Sequence, residues 1–336
     1  MAVTIKDVAK KAGVSISTVS RVINNSKPVS LEVRKKVLEA INDLGYKPNE
    51  VARSLVTRRS KLIGVIVTDI GNSYIAEMVR GIEEVGRMYS YDIILSSSYG
   101  NKDTEKRFAQ LLLSKQVEGI ILISEEKDNE VIEEMIDKKV PFIYLNRYYL
   151  SDRITSVSID YKLASYDMTK YVLELGHKNI VYITYDNNEE YSIEKYKLDG
   201  YNKAIKEEDG VGFVLRSDGY KIQDGYKIGQ NVLDFIKEKS VSAVFCCHDE
   251  LAIGLMSYFY DNNIRIPKDI SICGFGDLKI ASIYRPRLTT IREPYYDIGA
   301  VAIRRIIKVI NNEKVDNENI YLPTQIMKRE SCEKVK

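Results

Sequence analysis

Hydrophobic positions fall into two regimes along the chain. Over the first 45 residues they recur at helical spacing: Ile5, Val8, Ala9 and Ala12, then Ile16, Val19, Val22 and Ile23, then Val33, Val37, Leu38, Ile41 and Leu44. Thr4 and Gly13 bracket the first run as cap and stop, Ser15 caps the second, and Pro28 with Ser30 opens a third that Gly45 ends. The first two helices are so close that they predict a helix-turn-helix, with the third completing a minimal core. From residue 62 onward the pattern changes. Short apolar runs at 62–67, 93–95, 119–123, 142–145, 180–183, 243–247 and 270–273 alternate with longer helical patterns. That alternation predicts βαβ units around parallel sheets. A weak repeat, in which LIGVIV and DIILSSS flank a helix through Gly81 as NIVYIT and GFVL flank one through Gly200, suggests two similar doubly wound lobes. A cleft between such lobes, at the carboxyl ends of the strands, is where small ligands bind.

Charge separates the same two regions. The 336 residues hold 50 basic and 48 acidic side chains, but residues 1–60 carry seven Lys and five Arg against five acids, a net of +7. The remainder holds 38 basic and 43 acidic residues. A basic head on a mildly acidic body points to a polyanion-binding module joined to something else. The outward positions of the second helix are Ile16, Ser17, Thr18, Ser20, Arg21 and Asn24, a set without acids and rich in groups that reach phosphates and base edges. Cys246, Cys247, Cys273 and Cys332 show no disulfide spacing, which favours a reducing compartment. No signal-peptide h-region and no apolar run long enough for a membrane span occurs, so the expected location is the cytoplasm, on the nucleoid when DNA is bound. Two histidines, His177 and His248, do not make a multi-histidine metal site.

Enzyme signatures are weak. Gly274-Phe275-Gly276 follows a strand, but position 279, where a dinucleotide fingerprint needs its third glycine, is lysine. Cys246, Cys247, His248 and Asp249 suggest a nucleophile or metal cluster, yet the cysteines fit the end of a buried strand and Asp249 fits a helix start. His177, in LGHKNI, reads as a turn between helix and strand.

The stretch TIKDVAKKAGVSISTVSRVINNSKPVS, followed by LGYKPNEVARSLVTRRSKLIGVIV, resembles the DNA-binding headpiece and hinge of the LacI/GalR repressor family, and the resemblance continues to the C-terminus. It implies an all-α helix-turn-helix headpiece at 1–48, a hinge at 49–60, and an α/β two-lobed body of the periplasmic-binding-protein type at 61–336. Lobe 1 would comprise about 61–159 and 291–320, and lobe 2 about 160–290 and 321–332. It further implies a homodimer on a pseudo-palindromic operator. Ile16, Ser17 and Arg21 would face base edges in the major groove, with Arg21 suited to a bidentate contact to guanine. Thr4, Ser15, Ser20, Asn24 and Asn49 would hold phosphates. Leu55 would wedge into the minor groove from a hinge helix that folds on DNA, where Ala52 lets two such helices approach.

In sugar-responsive relatives an arginine, a polar residue and an acid hold the ligand in the cleft; the matching positions here are Lys197, His248 and Gly276, with Asp277 one residue beyond the missing acid. Lys197 and His248 would suit an anionic ligand such as a sugar phosphate. The alternative control input comes from MYSYDIILSSS, SKQVEGI and YYDIGAVAIRRIIKVINNEKV, which resemble the catabolite-control members of the family. In those members serine-phosphorylated HPr is the corepressor and docks on the first lobe. The resemblance places Asp69, Glu77, Glu84, Met88 and Tyr89 on one side of that surface and Tyr296, Asp297, Arg304 and Lys308 on the other. Arg304 would meet the phosphoserine. A repressor of a single sugar operon, controlled from the cleft, is the competing reading.

Overall fold

The computed structural model describes residues 3–24, 27–46, 59–124, 129–145, 155–185, 192–315 and 319–335. They form two compact units, divided between Lys61 and Leu62.

The first unit is three helices: α1 (Ile5–Ala12), α2 (Ile16–Asn24) and α3 (Leu31–Leu44). Local chemistry sets their ends. The Asp7 carboxylate accepts from the backbone N–H and the hydroxyl of Thr4 at 2.9 and 2.7 Å, and Gly13 leaves α1 at φ 66°, a left-handed conformation that glycine adopts without strain. Ser15 Oγ accepts from Thr18 N–H at 3.1 Å, Ser30 caps α3 through Val33 N–H, and Gly45 ends it at φ 60°. Val8, Ala9, Val19, Val22, Val37 and Ala40 make the core. Leu38 departs from the expected inner stripe and is 48% exposed. Its neighbour Val37 points inward, and one residue along a helix turns the side chain by about 100°, so Ala40 takes the core position instead.

The second unit contains two six-stranded sheets. The strands are β1 (Leu62–Val67), β2 (Asp92–Ser97), β3 (Gly119–Ile123), β4 (Phe142–Leu145), β5 (Ser156–Ile159), β6 (Asn179–Tyr185), β7 (Val211–Ser217), β8 (Ala243–Cys246), β9 (Ser271–Gly276), β10 (Thr289–Arg292), β11 (Ile320–Leu322) and β12 (Gln325–Met327). The first sheet has the order β11-β5-β4-β3-β1-β2, all parallel; the second has β12-β10-β9-β8-β6-β7, with β12 antiparallel at its edge. Helices α4 (Ser73–Met88), α5 (Lys102–Ser114), α6 (Asn129–Asp137), α7 (Tyr161–Glu174), α8 (Ile193–Glu207), α9 (Ile222–Lys227), α10 (Gly229–Lys239), α11 (Asp249–Asp261), α12 (Lys279–Ile283) and α13 (Tyr295–Ile310) connect them. Helices on both faces explain why central strands such as β3 and β8 are buried at every position and read as continuous apolar runs.

The chain passes between the sheets after β5, after β10 and between β11 and β12. The crossing points differ slightly from expectation. β10 stays in the second sheet through Arg292, and β11 pairs with β5 in the first sheet through Leu322, so the lobes exchange at about 293 and 323 rather than 291 and 321. Backbone pairing, not hydrophobicity, fixes these points.

α4 and α13 lie side by side in the first lobe. A Cβ on Gly81 would collide with the carbonyl oxygen of Tyr296, and one on Gly299 with that of Met78. Glycine at both positions therefore lets the two helix backbones touch. Ile303 rests against Gly86 further along, so the helices run in the same direction.

Candidate nucleic-acid interface and regulatory sites

On α2 the sequence places Val19 and Val22 inward, and the opposite side is left to Ile16, Ser17, Arg21 and Asn24, all exposed. Ser15 hydrogen bonds to Ser17 (2.7 Å) and Thr18 (2.9 Å) at one end, and Asn24 Nδ2 donates to Ser20 Oγ (3.1 Å) at the other. Thr4 is exposed at the start of α1. Among the described residues no carboxylate pairs with Arg21, so its guanidinium fork is available to an external acceptor. Asn49, Ala52 and Leu55, with most of the hinge, lie outside the described residues.

In the cleft region Lys197 sits in the first turns of α8 with its ammonium buried. Nζ lies 2.8 Å from Glu194 Oε1, donates to the Cys247 carbonyl at 3.0 Å and stands 4.3 Å over the Phe275 ring. Burial, the largest single effect, works against the charge, but Glu194, Cys247 and Glu293 together outweigh it and the pKa ends above its ordinary value. His248, at the start of α11, stacks on Tyr220 at 4.6 Å with Nε2 3.8 Å from the same Glu194. Burial first, then the positive charges of Lys197 and Lys221, push its pKa well down, so the imidazole is neutral. The expectation of an anion-attracting cleft is therefore reversed: one cation is already neutralised by its own helix and the other group is uncharged. Below them Tyr161 and Tyr295 both donate to the buried Glu293, at 3.1 and 3.0 Å.

Gly276 and Asp277 do not replace the missing acid. Gly276 has φ 131°, which side-chain-bearing residues avoid, and Asp277 is turned to Arg292 (2.7 Å) and Arg329. The turn serves Asp249, whose oxygens accept from the Thr290 hydroxyl (2.5 Å) and Leu278 N–H (2.8 Å), and whose carboxyl burial raises to about 7. A Cβ on Gly274 would strike that carboxylate, so this glycine clears space for Asp249 rather than for a dinucleotide, while Gly276 supplies the turn's positive φ. Cys246 and Cys247 are fully buried and burial raises both thiols, which makes them poor nucleophiles. His177 is held between Ser242 Oγ (2.9 Å) and the Glu333 carbonyl (3.0 Å), a structural role.

The first-lobe residues form a strip along α4 and α13. Glu77, Glu84 and Met88 share one side of α4, with Asp69 beyond its start and Tyr89 at its end; Met88 is 76% exposed. Tyr296 joins the helices by donating to Glu84 at 2.8 Å while the Arg80 guanidinium lies 5.2 Å over its ring. Asp297, Arg304 and Lys308 are exposed on α13, the last two one turn apart, and among the described residues neither carries an ion pair. Glu77, in contrast, is already engaged by Arg80 (2.5 Å) and Lys279 (3.5 Å). Beside the strip a cavity of about 480 Å3 is lined by Tyr74, Glu77, Arg80, Arg292, Tyr295 and Tyr296, among others.

A family model described as bacterial regulatory proteins, lacI family, matches residues 4–49, and one described as a periplasmic binding protein-like domain matches 169–332. Catabolite control protein A of Priestia megaterium is 39% identical over 98% of this chain and 99% of its own length. The chain belongs to the LacI family of bacterial regulatory proteins. HTH-type transcriptional regulator RegA of Clostridium saccharobutylicum is likewise 39% identical, over 98% of this chain and 99% of that protein. The structure of the lac repressor dimer bound to operator and the anti-inducer ONPF matches with a TM-score of 0.87 at 26% identity, covering 98% of this chain and 99% of that one.

As a LacI-family member the chain is a DNA-binding transcriptional regulator with a repressor's role, and not an enzyme. Among the described residues no helix is long and apolar enough to cross a membrane and no acidic, cysteine and histidine cluster could hold a metal ion. Sequence reasoning missed Glu194, Tyr220, Glu293 and Tyr295. Only Glu194 left a local signal, an acid one helical turn before Lys197. For the headpiece, Arg21→Ala is expected to cost about 1–3 kcal/mol on the operator and far less on random DNA. Equal losses on both, in salt-matched binding curves, would make Arg21 a phosphate clamp.

Proposed function

We propose that the protein is a homodimeric regulator of carbon catabolite control that binds a pseudo-palindromic operator and takes serine-phosphorylated HPr as its corepressor on the first lobe. The observation that carries this reading is the α4/α13 pair: packed together through Gly81 and Gly299, the helices expose Met88 and Tyr89 on one and Arg304 and Lys308 on the other, and among the described residues neither cation carries an ion pair. An apolar patch on one helix and a guanidinium fork on the other suit a protein surface carrying a phosphoserine. The neutralised cleft supports the same reading, since it offers no surplus charge to a sugar phosphate. At the DNA, Thr4, Ser15, Ser20, Asn24 and Asn49 set the register and Ile16, Ser17 and Arg21 read bases. Leu55 from each subunit wedges the central step.

A corepressor raises operator affinity by its differential affinity for the DNA-competent state, commonly about 1–3 kcal/mol. The test is a titration of operator affinity against phosphorylated and unphosphorylated HPr. Only the phosphorylated form should tighten binding, and Arg304→Ala should abolish the response while leaving basal affinity intact. If neither form acts but a free sugar or sugar phosphate does, the single-operon repressor takes its place.

A further inference from the structure

Asn72 is the N-cap residue of α4, yet its side chain does not cap the helix. An asparagine at that position ordinarily turns its Oδ1 onto a first-turn amide, here that of Ile75. In this structure Oδ1 accepts instead from Lys221 Nζ at 2.6 Å, and Lys221 belongs to the second lobe, where it precedes α9. The ammonium is held in place from its own lobe by Glu250 of α11 at 3.1 Å and by the Tyr220 ring at 4.8 Å. Asn72 is buried while the Lys221 side chain is 40% exposed, so the bond is shielded from water on the Asn72 side. A second side-chain bridge between the lobes, Glu77 to Lys279, rests on a lysine that is 85% exposed and carries little weight.

We infer that the Asn72–Lys221 bond is a latch between the two lobes, and that its alternative is the missing helix cap. While the lobes are together, Oδ1 holds Lys221; when they part, Oδ1 swings onto the Ile75 amide and caps α4. Either state satisfies the same acceptor, so opening exchanges one hydrogen bond for another and leaves no buried polar group orphaned. The latch engages the start of the helix whose far end carries Met88 and Tyr89, which ties lobe closure to the first-lobe strip. It goes beyond the corepressor reading and does not depend on it.

The test uses the full chain without DNA or HPr, reading lobe opening by small-angle X-ray scattering and the Ile75 amide by hydrogen exchange. Lys221→Met should open the lobes and, because the cap now forms, slow exchange at Ile75 by about tenfold, the size expected of one hydrogen bond. Asn72→Ala should open them equally but leave that exchange near the parent's rate, since it removes the latch and has no side chain to form the cap. Asn72→Asp, with a carboxylate facing Lys221, should keep them closed. Unchanged scattering in Lys221→Met, or opening without slower exchange at Ile75, overturns the proposal. HPr failing to bind leaves it standing.

Discussion

Lys197→Met is expected to destabilise the two-lobed body by roughly 3–5 kcal/mol, because it strips the partner from a buried carboxylate. Glu194 is 4% exposed and its other neighbours, the Thr184 hydroxyl at 3.1 Å and the neutral His248, cannot balance a full charge. Lys197→Met combined with Glu194→Gln should recover most of the loss, since no charge remains and the amide can still accept from Thr184. The single variant should also free His248. Two cations depress its pKa after burial, and Lys197 is the first of them, so removing it lifts part of that depression. Burial, the largest cause, still holds the folded-state value below the unfolded one, so both proteins lose stability as pH falls below the unfolded value, and the variant loses less. The variant should therefore regain stability, relative to the parent, as pH falls through about 6.5. Denaturant unfolding of the body across pH checks both points. A loss under about 1 kcal/mol would mean that water reaches Glu194.

What could be read in advance follows from the range of the forces involved. The headpiece was legible because its determinants are local: Thr4 with Asp7, Ser15 with Thr18, and glycines at 13 and 45 all act within one helical turn. The strands were legible because sheets covered on both faces bury every side chain and leave apolar runs. Four strands were not: β5 and β10 are buried but short and rich in Ser and Thr, and the edge strands β11 and β12 are half-buried, so pairing alone defines them. Charge in the cleft was misread for the same reason. Lys197 counts as a cation in sequence, but whether it faces a ligand or Glu194 depends on burial beneath Tyr161 and Phe275, residues far away in the chain. Asp277, one residue beyond the missing acid, is likewise taken up by Arg292 and Arg329, which lie far from it in the chain. The first-lobe strip was found only through resemblance; no local pattern brings Glu84 to Tyr296, 212 positions apart.

One further pair of substitutions should give opposite signs on one helix. Glycine inside a helix costs roughly 0.5–1 kcal/mol relative to alanine, so alanine at either Gly81 or Gly86 of α4 gains that much in helix propensity. At Gly86 nothing opposes the gain: the added Cβ would meet the Ile93 and Ile303 side chains no closer than 3.4 Å, ordinary packing distance. At Gly81 it would strike the Tyr296 carbonyl oxygen, part of a backbone that cannot rotate away. α13 would have to move outward, with overpacking strain of about 1–3 kcal/mol or more. Gly86→Ala should thus be neutral or stabilising by up to about 1 kcal/mol, and Gly81→Ala net destabilising. The displacement also bears on the proposed corepressor surface, because the Gly81 contact sets the spacing of the helix that exposes Met88 from the helix that exposes Arg304 and Lys308. Gly81→Ala should weaken the response to phosphorylated HPr even under conditions where the protein remains folded, while operator binding by the separate headpiece unit is unchanged. Thermal unfolding and the HPr titration measure the two halves of this expectation. Equal stability for Gly81→Ala and Gly86→Ala would show that the helices do not touch through Gly81, and a full HPr response in a destabilised Gly81→Ala would detach the corepressor surface from the helix crossing.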